Sequence, residues 1–92
     1  MISALRISER DNVAVVLEPI EAGRAVDVAG ARIVARDAIP SGHKMAILDI
    51  AAGQPVLKYG SPIGLATKAI AAGEHVHTHN VESTRGRGDR DA

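Results

Sequence analysis

Ala69-Ile70-Ala71-Ala72-Gly73-Glu74-His75-Val76 carries the frame that decides the fold: Ile, two residues, Gly, two residues, then an apolar residue. The same frame recurs in Pro19-Ile20-Glu21-Ala22-Gly23-Arg24-Ala25-Val26, in Ala38-Ile39-Pro40-Ser41-Gly42-His43-Lys44-Met45 and in Asp49-Ile50-Ala51-Ala52-Gly53-Gln54-Pro55-Val56. Each copy has one physical reading. The Ile anchors in a core, the next two residues turn, the Gly supplies a backbone conformation that a Cβ would penalise, and the closing Val or Met starts a strand. The copies are spaced long, short, long, close to symmetric about the chain's middle. A solenoid would keep one period, so the pattern predicts two similar halves related by a pseudo-two-fold. The expected class is all-β, a compact fold of short strands.

Outward from these frames, Val13-Ala14-Val15-Val16-Leu17 is apolar on both alternating faces and reads as a strand buried on both sides. Before it, Ile2, Leu5 and Ile7 suggest an opening strand, closed by the polar turn Ser8-Glu9-Arg10-Asp11-Asn12. Gly30 lies between Val28 and the run Arg32 to Arg36, the mark of a hairpin. Lys58 to Thr67 holds Gly60, Pro62 and Gly64 and reads as a tight loop pinned to the core by Tyr59 and Ile63. No long helical period occurs, and Ala69 to Ala72 is too short for more than a turn. The expected division is a β domain over residues 1–82 and a polar tail over 83–92, mobile for want of apolar periodicity.

Composition narrows the classes. A chain of 92 residues whose only aromatic is Tyr59 builds a thin aliphatic core with little room for a deep active site, and is expected to lean on a partner surface. Acidic and basic residues balance and are interspersed, which argues against nucleic acid or an anionic membrane as the main partner. Without cysteine there is neither disulfide nor thiol chemistry. With no transmembrane-length run and no secretory signal pattern, the cytoplasm is the default location.

Gly73 to Asn80 contains three of the four histidines, His75, His77 and His79, spaced two apart. In an extended strand their imidazoles share one face. Such a face serves as a ligand set, a proton-transfer surface or an anion clamp, or is simply the polar outer side of an edge strand. His-x-His lacks the four-ligand spacing of a structural zinc motif. His43 and Lys44 follow Gly42 at the matching place in their own frame, so a pseudo-two-fold would bring His43 and His75 towards one cleft, with Lys44 suited to a carboxylate. Gly60 and Gly64 either let backbone amides approach a ligand or serve their turn.

The blocks Asp11-Asn12-Val13-Ala14-Val15, Gly42-His43-Lys44, Lys58-Tyr59-Gly60 with Pro62-Ile63-Gly64, and Gly73-Glu74-His75-Val76-His77 with His79-Asn80 resemble, in order and spacing, the SAF domain of altronate and galactarate dehydratases. The chain is similar as well to the small subunit of sulfolactate sulfo-lyase. The resemblance implies a β-clip fold and a role beside a large dehydratase subunit, in a lyase that removes water or sulfite from a sugar acid or related hydroxy acid. It also implies a divalent metal, iron or manganese, which that subunit could share. On this reading His43 and His75 are the catalytic candidates and His75 and His77 the metal ligands. Gly42, Lys44, Gly60, Gly64, His79 and Asn80 are the substrate-binding candidates, with the general base coming from the large chain. The competing class is a non-catalytic carbohydrate-binding or assembly module, and self-association stays open.

Overall fold

A computed structural model of the chain describes residues 2–83. Every frame closes as the same four-residue turn: the backbone N–H of Arg24, His43, Gln54 and Glu74 donates to the carbonyl of Glu21, Pro40, Ala51 and Ala71 at 3.0–3.2 Å. Gly23, Gly42, Gly53 and Gly73 occupy the third turn position with φ of 84–94°, the left-handed region that a type II turn demands there.

The turns then clasp in pairs. Ile20 and Ile39 exchange backbone hydrogen bonds, as do Ile50 and Ile70. Around each isoleucine pair the clasp is reciprocal. Gly23 N–H donates to Ala35 O and Gly42 N–H to Val16 O; Gly53 N–H donates to Ala66 O and Gly73 N–H to Ala46 O. The accepting residue always stands four positions before the isoleucine of the opposing frame. All four isoleucines are at most 2% exposed, and burying one such side chain is worth about 1.5–3 kcal/mol.

Nine short strands hang on these clasps: β1 (Ala4–Leu5), β2 (Val13–Val16), β3 (Ala25–Val28), β4 (Ala31–Val34), β5 (Lys44–Ala46), β6 (Pro55–Lys58), β7 (Ser61–Ala66), β8 (His75–Val76) and β9 (Val81–Ser83). An antiparallel sheet in the order β1-β2-β5-β8 runs between the halves. Each half adds a hairpin between its two frames, β3–β4 in the first and β6–β7 in the second, the latter extended by β9. Both hairpins turn on two residues of positive φ, Ala29-Gly30 at 55° and 77° and Tyr59-Gly60 at 56° and 74°, the type I′ geometry that matches strand twist. Two aliphatic cores result. One gathers Val16, Ile20, Val26, Ile33, Ile39 and Met45, the other Val13, Ile50, Val56, Ile70 and Val76. Strand β2 serves both, Ala14 and Val16 in the first and Val13 in the second, but Val15 is only part-buried and Leu17, past the strand, is 49% exposed, so the burial expected on both faces stops short of Leu17. This is a small all-β domain of the β-clip kind, without helices among the described residues.

Asp11 and Asn12 tie the second hairpin to the first half. The Asp11 carboxylate accepts from the backbone N–H of Ser8, Tyr59 and Gly60, and Asn12 accepts from Leu57 N–H and donates to Pro55 O. Burial pushes the Asp11 carboxyl up, but the N–H groups of Gly60, Ser8 and Tyr59 outweigh it and hold the group below its ordinary value.

Several expectations need correction. The expected opening strand is present but short, β1 being only Ala4–Leu5 with Ala4 turned inward and Ile2, Leu5 and Ile7 exposed. Lys58 to Thr67 is not a loop but the hairpin turn and the whole of β7; Tyr59 sits at its tip, 62% exposed, while Ile63 does pack on the second core. Ser83, assigned to the tail, belongs to β9 and pairs with Gly64. The remainder of the expected mobile tail lies outside the described residues.

Candidate functional site

The β5–β8 ladder positions the histidines. Its register pairs Met45 with His75 and Lys44 with Val76, so the next step outward sets His43 opposite His77, just beyond the last paired residues. The chain turns there: Asn80 N–H donates to His77 O at 3.1 Å, and β9 follows. His75 therefore opens β8 while His77 and His79 lie past its end, where the chain bends and turns, and the three do not share one extended face as the spacing predicted.

The convergence expected of His43 and His75 is present. His43 Nδ1 and His75 Nε2 lie 2.8 Å apart, a hydrogen bond in which one ring donates and the other accepts. The rings of His43 and His77 stack at 4.2 Å between centroids, and those of His75 and His77 at 5.6 Å. One ligand nitrogen from each of His43, His75 and His77 falls within 4.8 Å of the others. His79 stands outside this trio with its ring 5.2 Å from that of His75.

Two residues beneath the rings hold them. Asn80 is 1% exposed; its Oδ1 accepts from His77 N–H at 3.0 Å and its Nδ2 donates to His75 O at 2.9 Å. Both ends of its amide thus bond to the backbone of two trio members, which places it under the rings. Asp37, which no motif marked, accepts from His75 N–H at 2.9 Å. Gly60 and Gly64 have packing reasons. Gly60 is a type I′ turn residue bound to Asp11, and a Cβ on Gly64 would come within 2.6 Å of Glu82 O and Val81 Cγ1. Gly42 serves its turn, with open space where a Cβ would point.

His75 and His77 resist protonation. Burial, then the neighbouring His43, His79 and His77, pushes His75 below the ordinary histidine value, with Asp37 opposing. Burial, His43 and Lys44 lower His77 likewise, and burial and Lys58 lower Lys44. Neutral imidazole is the form that binds a metal. The same shifts make stability depend on pH. Between the depressed folded values and the ordinary 6.5, the unfolded chain binds more protons, so stability rises with pH. The urea midpoint is expected to fall as the pH drops from about 7.5 to 5.5, a window above the carboxylates' range, and to fall less in His77→Asn. An unchanged or higher midpoint at the lower pH would contradict this assignment.

Beside the trio, Lys44, Ile63, His77, Thr78, Val81 and Ser83 line a cavity of about 210 Å³. An imidazole trio and a half-buried ammonium beside a small, largely apolar cavity can grip a cation and an oxyanion side by side.

The chain is similar in sequence to known proteins. The chain is 46% identical over 79 residues to altronate dehydratase of Escherichia coli, covering 86% of this chain and 16% of that protein. It is 39% identical over 83 residues to altronate dehydratase of Bacillus subtilis, covering 90% of this chain and 17% of that one. With (2R)-sulfolactate sulfo-lyase subunit alpha of Chromohalobacter salexigens it is 52% identical over 50 residues, covering 54% of this chain and 53% of the subunit. The chain thus spans about a sixth of the length of the dehydratases and about half of the sulfo-lyase subunit. Residues 2–84 match the altronate/galactarate dehydratase SAF domain. By fold and by sequence, the chain belongs to the family of SAF domains of altronate and galactarate dehydratases.

Proposed function

We propose that this chain is the small, metal-gripping component of a hydro-lyase that dehydrates a sugar acid of the altronate or galactarate type, completed by a separate large catalytic chain. The carrying observation is the convergence of His43, His75 and His77, with three ligand nitrogens within 4.8 Å of one another. The donor set fits a divalent metal, and three imidazoles without a carboxylate suit iron better than manganese. Bound there, the ion supplies Lewis acidity towards a substrate oxygen.

The chain's own residues do the rest of its share. Asn80 and Asp37 hold the backbone of the trio in place, and the apolar walls of the cavity exclude water beside it. Dehydration also needs a base for the proton α to the carboxylate and an acid for the leaving hydroxyl. With one nitrogen of each ring given to the ion, His43 and His75 could handle a proton only through the second nitrogen of the ring. The remaining base comes from the larger chain, as the fraction of the dehydratases that this chain spans suggests. A second reading, the small subunit of a sulfolactate sulfo-lyase, is favoured by the 52% identity to a protein in which the matching domain is a subunit.

The test is recovery of the tagged chain from its native cells, followed by assay of the complex for metal and for elimination from a panel of hydroxy acids. His75→Ala is expected to weaken metal binding by more than the roughly 10–100-fold that loss of an outer-shell partner costs, and to abolish elimination. Unchanged metal content in that variant, or a chain that emerges alone and inert, would defeat the reading.

A further inference from the structure

Among the described residues, the ammonium of Lys44 has no ion-pair partner. The ion pairs among the described residues are Arg24–Glu18 and Arg32–Asp27, and no carboxylate lines the cavity that Lys44 shares with His77. Ile63 and Val81 form apolar walls there, and Thr78 adds a hydroxyl. A cation facing such a cavity attracts an anion more strongly than it would in open water, because the walls displace solvent and lower the local dielectric. Lys44 directly follows His43, so this positive centre adjoins the imidazole trio. The trio, holding a divalent ion, is a second centre for oxyanions.

Two adjacent positive centres select a ligand with two negative groups. We infer that the cavity beside the histidines is a subsite for the second anionic group of a short hydroxy acid, with Lys44 as its charge partner, so that dianionic acids are preferred over monoanionic ones of equal length. The inference rests on the reading of the trio as a metal centre and narrows its substrate class. The subsite would recognise a terminal carboxylate or sulfonate through charge-assisted hydrogen bonds from Lys44 and a hydrogen bond from Thr78.

A matched pair of four-carbon acids tests it. Tartrate and threonate share a hydroxylated backbone and differ in whether the far end is a carboxylate or an alcohol. The whole chain, with and without zinc as a redox-inert probe ion, is titrated with each by calorimetry, with amide chemical shifts locating the site. Tartrate is expected to bind roughly tenfold or more tighter than threonate, the scale of one charge-assisted hydrogen bond. Lys44→Met should bring tartrate down to the threonate level while zinc binding and the amide spectrum of the fold persist. Equal affinities for the two acids, a preference that survives Lys44→Met, or binding of neither acid would each overturn the inference. Zinc binding is scored separately. Its absence defeats the metal reading, whereas a tartrate preference that the zinc-free chain loses on Lys44→Met upholds the subsite.

Discussion

Gly73→Ala is expected to abolish cooperative folding, while the equivalent change in another repeat, Gly53→Ala, only weakens the domain. Both glycines occupy the third position of the same turn with nearly the same φ, 94° and 84°, so both substitutions incur the left-handed strain of a Cβ, about 1–2 kcal/mol. They differ in what the Cβ meets. At Gly53 there is nothing within 4 Å; at Gly73 it would stand 2.2 Å from Val34 O and 3.4 Å from Arg36 N. Gly73 O also accepts from Arg36 N–H, and two residues on His75 N–H donates to Asp37. The backbone at 34–36 belongs to the first half and Gly73 to the second, so the close approach is the seam between them. Moving it apart breaks the Arg36 bond and pulls the histidine strand from Asp37. The added cost should exceed about 3 kcal/mol, a large part of the 5–15 kcal/mol that holds a typical domain together. Urea unfolding of the two variants, with zinc binding as a second readout, measures the difference. Equal midpoints would mean that the seam yields freely and that Gly73 is required only for its turn.

The comparison of these two glycines also shows how far the sequence could be read. The repeated frame revealed the turns, the four anchoring isoleucines and the two halves, because each rests on a local requirement: a positive φ, or a branched side chain at fixed distance from it. The clasp partners Val16, Ala35, Ala46 and Ala66 were not legible. They act through backbone groups, and a small apolar residue four positions before an isoleucine has no chemical mark. The same holds for Gly73, whose close approach to Val34 depends on the other half of the chain. In the site, the meeting of His43 with His75 was expected from their neighbouring places in the frame, first and second after the turn glycine. The two-residue spacing misled where it stood for a strand, since the chain leaves the ladder after Val76 and turns on Asn80. Asp37 was missed because an acid in a connecting loop is ordinary until folding places an N–H against it.

Asn80→Ala should damage the domain and the metal centre together. The side chain is 1% exposed and spans the turn that presents His77, accepting from one trio member's backbone and donating to another's. Truncation leaves His77 N–H and His75 O without partners and opens a void where the amide lay. A stranded buried polar group costs about 1–3 kcal/mol, so the loss should be about 2–4 kcal/mol. Asn80→Asp separates the two bonds. Its carboxylate can still accept from His77 N–H but cannot donate to His75 O, so it should lose less stability than Ala. If the amide preorganises the ligands, zinc affinity should fall in Ala by about 10–100-fold, as when an outer-shell partner is removed, measured where the variant is still fully folded. Asp adds a negative charge beside the imidazoles and should recover part of that affinity. A variant that loses stability yet binds zinc as the parent does would show that the turn supports the fold without setting the geometry of the trio.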